Sequence, residues 1–291
     1  IPLLERCRFL AIFSSNLDDF YMIRVATLKR KIENSITKKN TAGYTPLELL
    51  KDISKKSNEL ISRMVNCYQE DLLPKLSDNG IEIVTWSKLT EDEKNYITKI
   101  FNKRIFPILT PLAVDPSHPF PYISGLSLNL AVLLKKPETH EELFARVKVP
   151  ASLPRFMETA EFASTRFIAI EQVIIANLHQ LFPGMDIEDY YTFRITRNAD
   201  LELEEEESEN LLESMEQELL RRKFGPPVRL EVANDIKSDL VDRLKAELTI
   251  HESDISRYQE PLDLTGLSKI ADLDRPELKF LPFKNQVVKQ L

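Results

Sequence analysis

The chain has 291 residues, 43% of them apolar and 29% charged, which excludes a disordered polypeptide and supplies core for one large domain or two ordinary ones. Acidic side chains outnumber basic ones, 46 to 39, and the formal charge of −7 argues against a non-specific nucleic-acid binder, which needs a broad basic face. A local basic channel for an anionic substrate remains compatible with that balance.

In chain order, the opening Ile1–Arg6 lacks the basic, apolar, small-residue order of a signal peptide. It starts inside a helical pattern, as the interior of a longer chain would. Leu3, Leu4, Phe9, Leu10, Ile12 and Phe13 predict a short apolar helix. Ser14-Ser15-Asn16 reads as an interruption, with Asn16 and Asp19 as the start signal of a second helix over 17–34 that is apolar on nearly all sides. Thr45-Pro46-Leu47-Glu48 is a capping box opening a helix to about Leu73, with Pro74 at or near its end. A β-like Ile81–Val84 follows, and a second capping box, Thr90 to Glu93, starts a helix through Ile105. Four helices with short links predict an antiparallel bundle over 1–106.

Prolines 107, 111, 116, 119 and 121 change the texture, and a domain boundary is placed at 106/107. Beyond it, β-like runs lie at 126–134, 143–149, 166–170, 190–196 and 228–232, with helical patterns at 171–182, 207–224 and 236–248. Alternation over Ser127–Val132 predicts a sheet covered on one face. The fold class is therefore α+β overall: an all-α bundle (1–106), then an α+β domain with helices on a mixed or antiparallel sheet (107–282), then a connection (283–291). No run of 18 apolar residues predicts a transmembrane helix. Cys7 and Cys67 fall in helical segments, as two buried thiols of a reducing cytosol would.

Familiar chemistry is scarce. The six glycines form no phosphate loop. His118, His140, His179 and His251 are too scattered for a triad or zinc pattern and read as structural or surface residues. The acidic run Glu202 to Glu209 opens a helix that closes on Arg221, Arg222 and Lys223, a match to the helix dipole rather than a metal site. Arg194 and Arg197 could hold an anion or pair with surface acids.

The joint FSSNLDDFYMIRV (13–25) is the best local candidate. Asp18 and Asp19 would repel a phosphate at a helix start there, so a neutral polar edge such as a nucleobase suits it better. Asn16 offers both donors and an acceptor to read such an edge; the alternative is that Asn16 only caps the helix. Arg24, Thr27 and Lys31 share a face that could meet an anion or serve surface ion pairs.

Three long stretches, PLLERCRFLAIFSSNLDDFYMIRVATLKRKIE (2–33), PILTPLAVDPSHPFPYISGLSLNLAV (107–132) and FPGMDIEDYYTFRITRNADLELEEEE (182–207), with FGPPVRLEV at 224–232, resemble the type 1 polyphosphate kinase family. The resemblance implies a helical domain and a head domain, reversible transfer of the ATP γ-phosphate to inorganic polyphosphate through a phosphohistidine, and a need for Mg²⁺. It implies that Asn16 contacts ATP/ADP, with Arg24 and Lys31 as further candidates, and that the head domain supports a homo-oligomer, a dimer in the family. The catalytic histidine and the Mg²⁺ ligands are expected in a carboxyl-terminal half outside these residues, so this portion alone is expected to make no polymer. A cytoplasmic location is implied, with peripheral attachment to the inner membrane as an option. A non-catalytic interaction or dimerisation module of the same fold is the alternative.

Overall fold

The computed structural model describes residues 1–114, 120–160, 165–199 and 225–281. Three helical rods come first. The first joins α1 (Leu3–Asp19), a wider π turn (Phe20–Val25) and α2 (Ala26–Glu33). The second joins α3 (Pro46–Asn66), a π turn (Cys67–Leu72) and α4 (Leu73–Asp78); the third is α5 (Glu91–Ile100) with a π turn (Phe101–Ile105). In both expected capping boxes the threonine side chain accepts from the glutamate N–H and the glutamate carboxylate accepts from the threonine N–H. Pro74 does not end the helix: it sits in the first turn of α4, directly after the π turn, and the rod runs on to Asp78.

The expected break at Ser14-Ser15-Asn16 does not occur. Positions 4, 7, 11, 14, 18, 21 and 25 are all buried, and this seven-residue spacing carries the helix through the polar triplet without a pause. Asn16 therefore lies inside α1 and caps nothing. The first two predicted helices are one rod, and packing of α2 on α3 and of α1 on the second π turn makes an antiparallel hairpin of the first two rods rather than a four-helix bundle.

A six-stranded sheet follows in the order β2-β4-β3-β7-β8-β9, formed by β2 (Leu112–Val114), β3 (Leu128–Lys135), β4 (Glu142–Lys148), β7 (Asp186–Arg197), β8 (Pro227–Ala233) and β9 (Ile255–Tyr258). All its neighbours are antiparallel except β8 and β9, so the sheet is mixed, as expected. One-sided covering of β3 is not what forms. Leu128, Leu130, Val132 and Leu134 join the core shared with the helical rods, and Ala131 and Leu133 pack toward α8 (Ser238–Leu248) on the other face. Both faces are covered, so the polar Asn129 is fully buried.

A second, three-stranded sheet pairs β1 (Glu82–Val84) in parallel with β6 (Arg166–Ala169), beside β5 (Phe156–Glu158). One hydrophobic cluster runs from Leu4 and Leu72 to Phe167 and Leu264, so core packing is continuous across 106/107. The helical pattern at 171–182 becomes α6 (Ile170–Ala176) and α7 (Leu178–Leu181), and a short α9 (Leu267–Ala271) packs on α1. The expected helix 207–224, the acidic run, His118 and residues 283–291 lie outside the described residues. Cys7 is buried as expected, whereas Cys67, the first residue of the second π turn, is half-buried.

Candidate nucleotide-contact site

The first rod is apolar on two opposite faces. One is the buried seven-residue repeat. The other is exposed: Phe9 at 52%, Ile12 at 46%, Phe20 at 37% and Ile23 at 44%. Asn16 falls in the middle of this second stripe, exposed and without a side-chain hydrogen bond among the described residues. An apolar strip with one free amide at its centre can cover a flat heteroaromatic ring and read its polar edge. Arg24, in the π turn, and Lys31, in the last turn of α2, are both exposed. Thr27 donates to the Ile23 carbonyl at 2.8 Å, so its hydroxyl is engaged by its own helix.

Behind the stripe, buried charges fasten the rod to the sheet. Arg194 of β7 donates to both carboxylate oxygens of Asp18, at 2.7 and 2.5 Å, and to Glu231 of β8 at 2.8 Å. Glu231 also accepts from the Tyr258 hydroxyl and lies 3.1 Å from Arg229, whose guanidinium stacks 4.7 Å from the Tyr21 ring centre. Burial works against the Arg194 charge, but Glu231 and Asp18 outweigh it and hold its pKa well above the ordinary arginine value. Burial and the Glu231 charge push the Tyr258 phenol up, which keeps it a donor. The Met22 carbonyl, in the π turn, accepts from the Ala199 N–H at 3.1 Å, and Lys29 reaches Asp254 at 2.6 Å. A π turn widens the helix and turns a carbonyl aside, which lets a strand end dock there.

Asp18 and Asp19 were expected to share a helix start. Instead Asp18 is buried against Arg194 in the last turn of α1 and only Asp19 is exposed. Arg194 meets buried acids rather than surface ones, and Arg197 donates to the Ile123 and Gly225 carbonyls at 2.7 and 2.8 Å. Sequence reasoning missed the Asp18–Arg194 tie. The available signal was the place of Asp18 in a seven-residue repeat of buried positions. His140, His179 and His251 are exposed and separate. A cavity of about 400 Å³ beside Arg155 has polar walls that satisfy one another: Arg155 with Glu171 and Asp263, Thr265 with Asp263, and Ser268 with the Thr265 carbonyl.

Fold and site together define an α+β scaffold with an exposed apolar face on a rod clamped to a sheet. Residues 1–84 match the family described as Polyphosphate kinase N-terminal domain, and residues 92–270 match Polyphosphate kinase middle domain. The chain belongs to the polyphosphate kinase family. It is 52% identical over 282 residues to the polyphosphate kinase of Streptomyces coelicolor, covering 97% of this chain and 37% of that protein. It is 48% identical over 291 residues to that of Mycobacterium tuberculosis, covering 96% and 39%. The crystal structure of polyphosphate kinase from Porphyromonas gingivalis superposes with a TM-score of 0.80 at 25% identity, covering 99% of this chain and 40% of that one. The chain thus spans 37–40% of the length of these relatives.

Proposed function

We propose that this chain is the nucleotide-contacting portion of an enzyme that moves the ATP γ-phosphate reversibly onto inorganic polyphosphate. Asn16 reads the edge of the adenine, and the apolar residues beside it cover the ring. Arg24 and Lys31, farther along the same rod, lie toward the phosphates. The observation that carries this reading is the free amide of Asn16 at the centre of an exposed apolar stripe, now that a capping role is gone.

The phosphoryl step needs a nucleophile in line with the γ-phosphorus and cations to balance charge. In this reading a phosphohistidine and a Mg²⁺ site supply them from the longer protein. Among the described residues no three His, Cys, Asp or Glu side chains gather as a metal site. The work of this portion is to position the nucleotide, and the second domain supports pairing of subunits. No helix among the described residues is long and apolar enough to cross a membrane.

Asn16→Ala in the intact enzyme tests the reading. Loss of one or two hydrogen bonds raises the KM for ATP roughly tenfold. Thermal stability holds or rises slightly, since Ala is the better helix former at an exposed position. Unchanged KM and kcat would remove the nucleotide role. The same stripe also suits a docking surface: if Asn16→Ala is silent while Phe9→Ser changes the oligomer mass, the interaction-module reading replaces it.

A further inference from the structure

Among the described residues, the other deeply buried arginines face carboxylates. Arg155 has Glu171 and Asp263, Arg194 has Asp18 and Glu231, and Arg229 has Glu231. Arg146 on β4 is different. It is 6% exposed, and its side-chain hydrogen bond runs from Nε to the neutral Asn129 Oδ1 at 2.8 Å. Its two Nη groups have no partner among the described residues. Asn129 cannot rotate to help, because its Nδ2 is spent on the Ser127 carbonyl and hydroxyl at 2.8 and 3.1 Å.

A second cation stands beside it. Lys148 lies two residues along β4, hence on the same face, and directly opposite Asn129 in the β3–β4 register. Its Nζ donates to the Ser124 hydroxyl at 2.8 Å, and it is half-buried, so the pair opens to solvent on the Lys148 side. Burial lowers the pKa of Arg146, and burial together with the Arg146 charge lowers that of Lys148. No carboxylate among the described residues offsets either. Two residues the other way, Arg243 of α8 stacks 4.8 Å from the centre of the Phe144 ring, adding a third positive group along the same strand face. Strand repeats separate these positions by about 7 Å each. A buried cation kept without a counter-charge costs stability, and two adjacent ones repel. The Arg146 Nη groups are not sealed from solvent, so an anion arriving from water can reach and offset both charges.

We propose that Arg146 and Lys148 form a binding site for a phosphoryl oxyanion on the α8-facing side of the sheet, with Arg243 extending it along β4 for a linear polyanion. Asn129 orients the guanidinium so that both Nη groups face the anion, and Ser124 orients the Lys148 ammonium. The choice of polyphosphate over a single phosphate group rests on the proposed function; the site itself rests on the unpaired Arg146. It is separate from Asn16, which lies on the helical rod.

The test uses the intact protein, titrated calorimetrically with tripolyphosphate and separately with orthophosphate, alongside thermal melts with and without each anion. Lys148→Gln removes a surface-reaching charge with little risk to folding, and weakens tripolyphosphate at this site roughly tenfold or drops one binding site from the stoichiometry. Arg146→Met melts at or above the wild-type temperature in anion-free buffer, and loses the anion-induced rise. Asn16→Ala leaves tripolyphosphate stoichiometry unchanged, so failure here is distinguishable from failure of the nucleotide reading. Tripolyphosphate binding well above orthophosphate assigns a chain, and equal affinity assigns a single phosphate group at the same cations. Wild-type affinity and stoichiometry in both variants, or a lower melting temperature for Arg146→Met without anion, overturns the site.

Discussion

Replacing Arg194 with Met removes the guanidinium that fastens α1 to the sheet while keeping most of the side-chain length. Asp18 and Glu231 are then left as buried carboxylates without their shared partner; their side chains are only 6% and 3% exposed. Breaking a buried ion pair on one side costs about 3–5 kcal/mol. At this chain length that corresponds to a melting-point fall of about 5–8 °C. Asp18→Asn costs less, about 1–3 kcal/mol, because Arg194 keeps Glu231 and the amide still offers one acceptor. When Asp18→Asn and Arg194→Met are combined, neither side of that contact carries a charge. The double variant is therefore more stable than the two single losses would sum to. Urea unfolding of the four proteins, fitted as a double-mutant cycle, gives the coupling energy. A loss under about 1 kcal/mol for Arg194→Met, or strict additivity in the cycle, refutes the claim that this pair holds the rod to the sheet.

Other outcomes follow from the same physics. Although burial opposes it, hydrogen bonds from the Thr90 N–H, Thr159 and Arg166 hold the Glu93 pKa down, from 4.5 to about 2. A carboxylate with a depressed folded pKa stabilises above its unfolded value, so this contribution is complete above pH 4.5 and fades as pH falls toward 2; Glu93→Gln flattens the stability–pH slope in that window, and an unchanged slope would disprove it. Gly266→Ala puts a methyl carbon 2.7 and 2.8 Å from Cβ and Cγ of Arg155, which Glu171 and Asp263 hold in place; denaturant titration records a loss of about 1–3 kcal/mol, and a neutral result would mean that Arg155 yields. Burial pushes the Cys7 thiol up to about 12, so iodoacetamide near pH 8 alkylates the half-buried Cys67 in the native protein and Cys7 only after unfolding; equal labelling would contradict the buried placement.

Much of the local structure was legible because it depends on neighbours in the chain. Both capping boxes close within three residues, and the strand runs at 143–149, 166–170, 190–196 and 228–232 all become strands, extended or trimmed at their ends. The short β2, β5 and β9 were missed, since each exists through a partner strand rather than through its own pattern. Long family-like strings also marked the kinship before any fold was known.

The candidate site was only half readable. Asn16 stood out by residue type, but whether it capped a helix or faced outward was a question of continuity. Ser14-Ser15-Asn16 favours a break by local propensity, and burial of the seven-residue repeat against the second rod and the sheet overrides it. Asp18 and Arg194 are 176 positions apart and meet because the rod lies across β7 and β8. The bareness of Arg146 is likewise a tertiary fact. Sequence supplies the charge, and only the assembled sheet decides that a buried cation has a neutral amide beside it and no acid within reach among the described residues. Short-range hydrogen bonds and periodic burial are written along the chain; the pairing of charges depends on which distant surfaces the fold brings together, and linear order does not carry that.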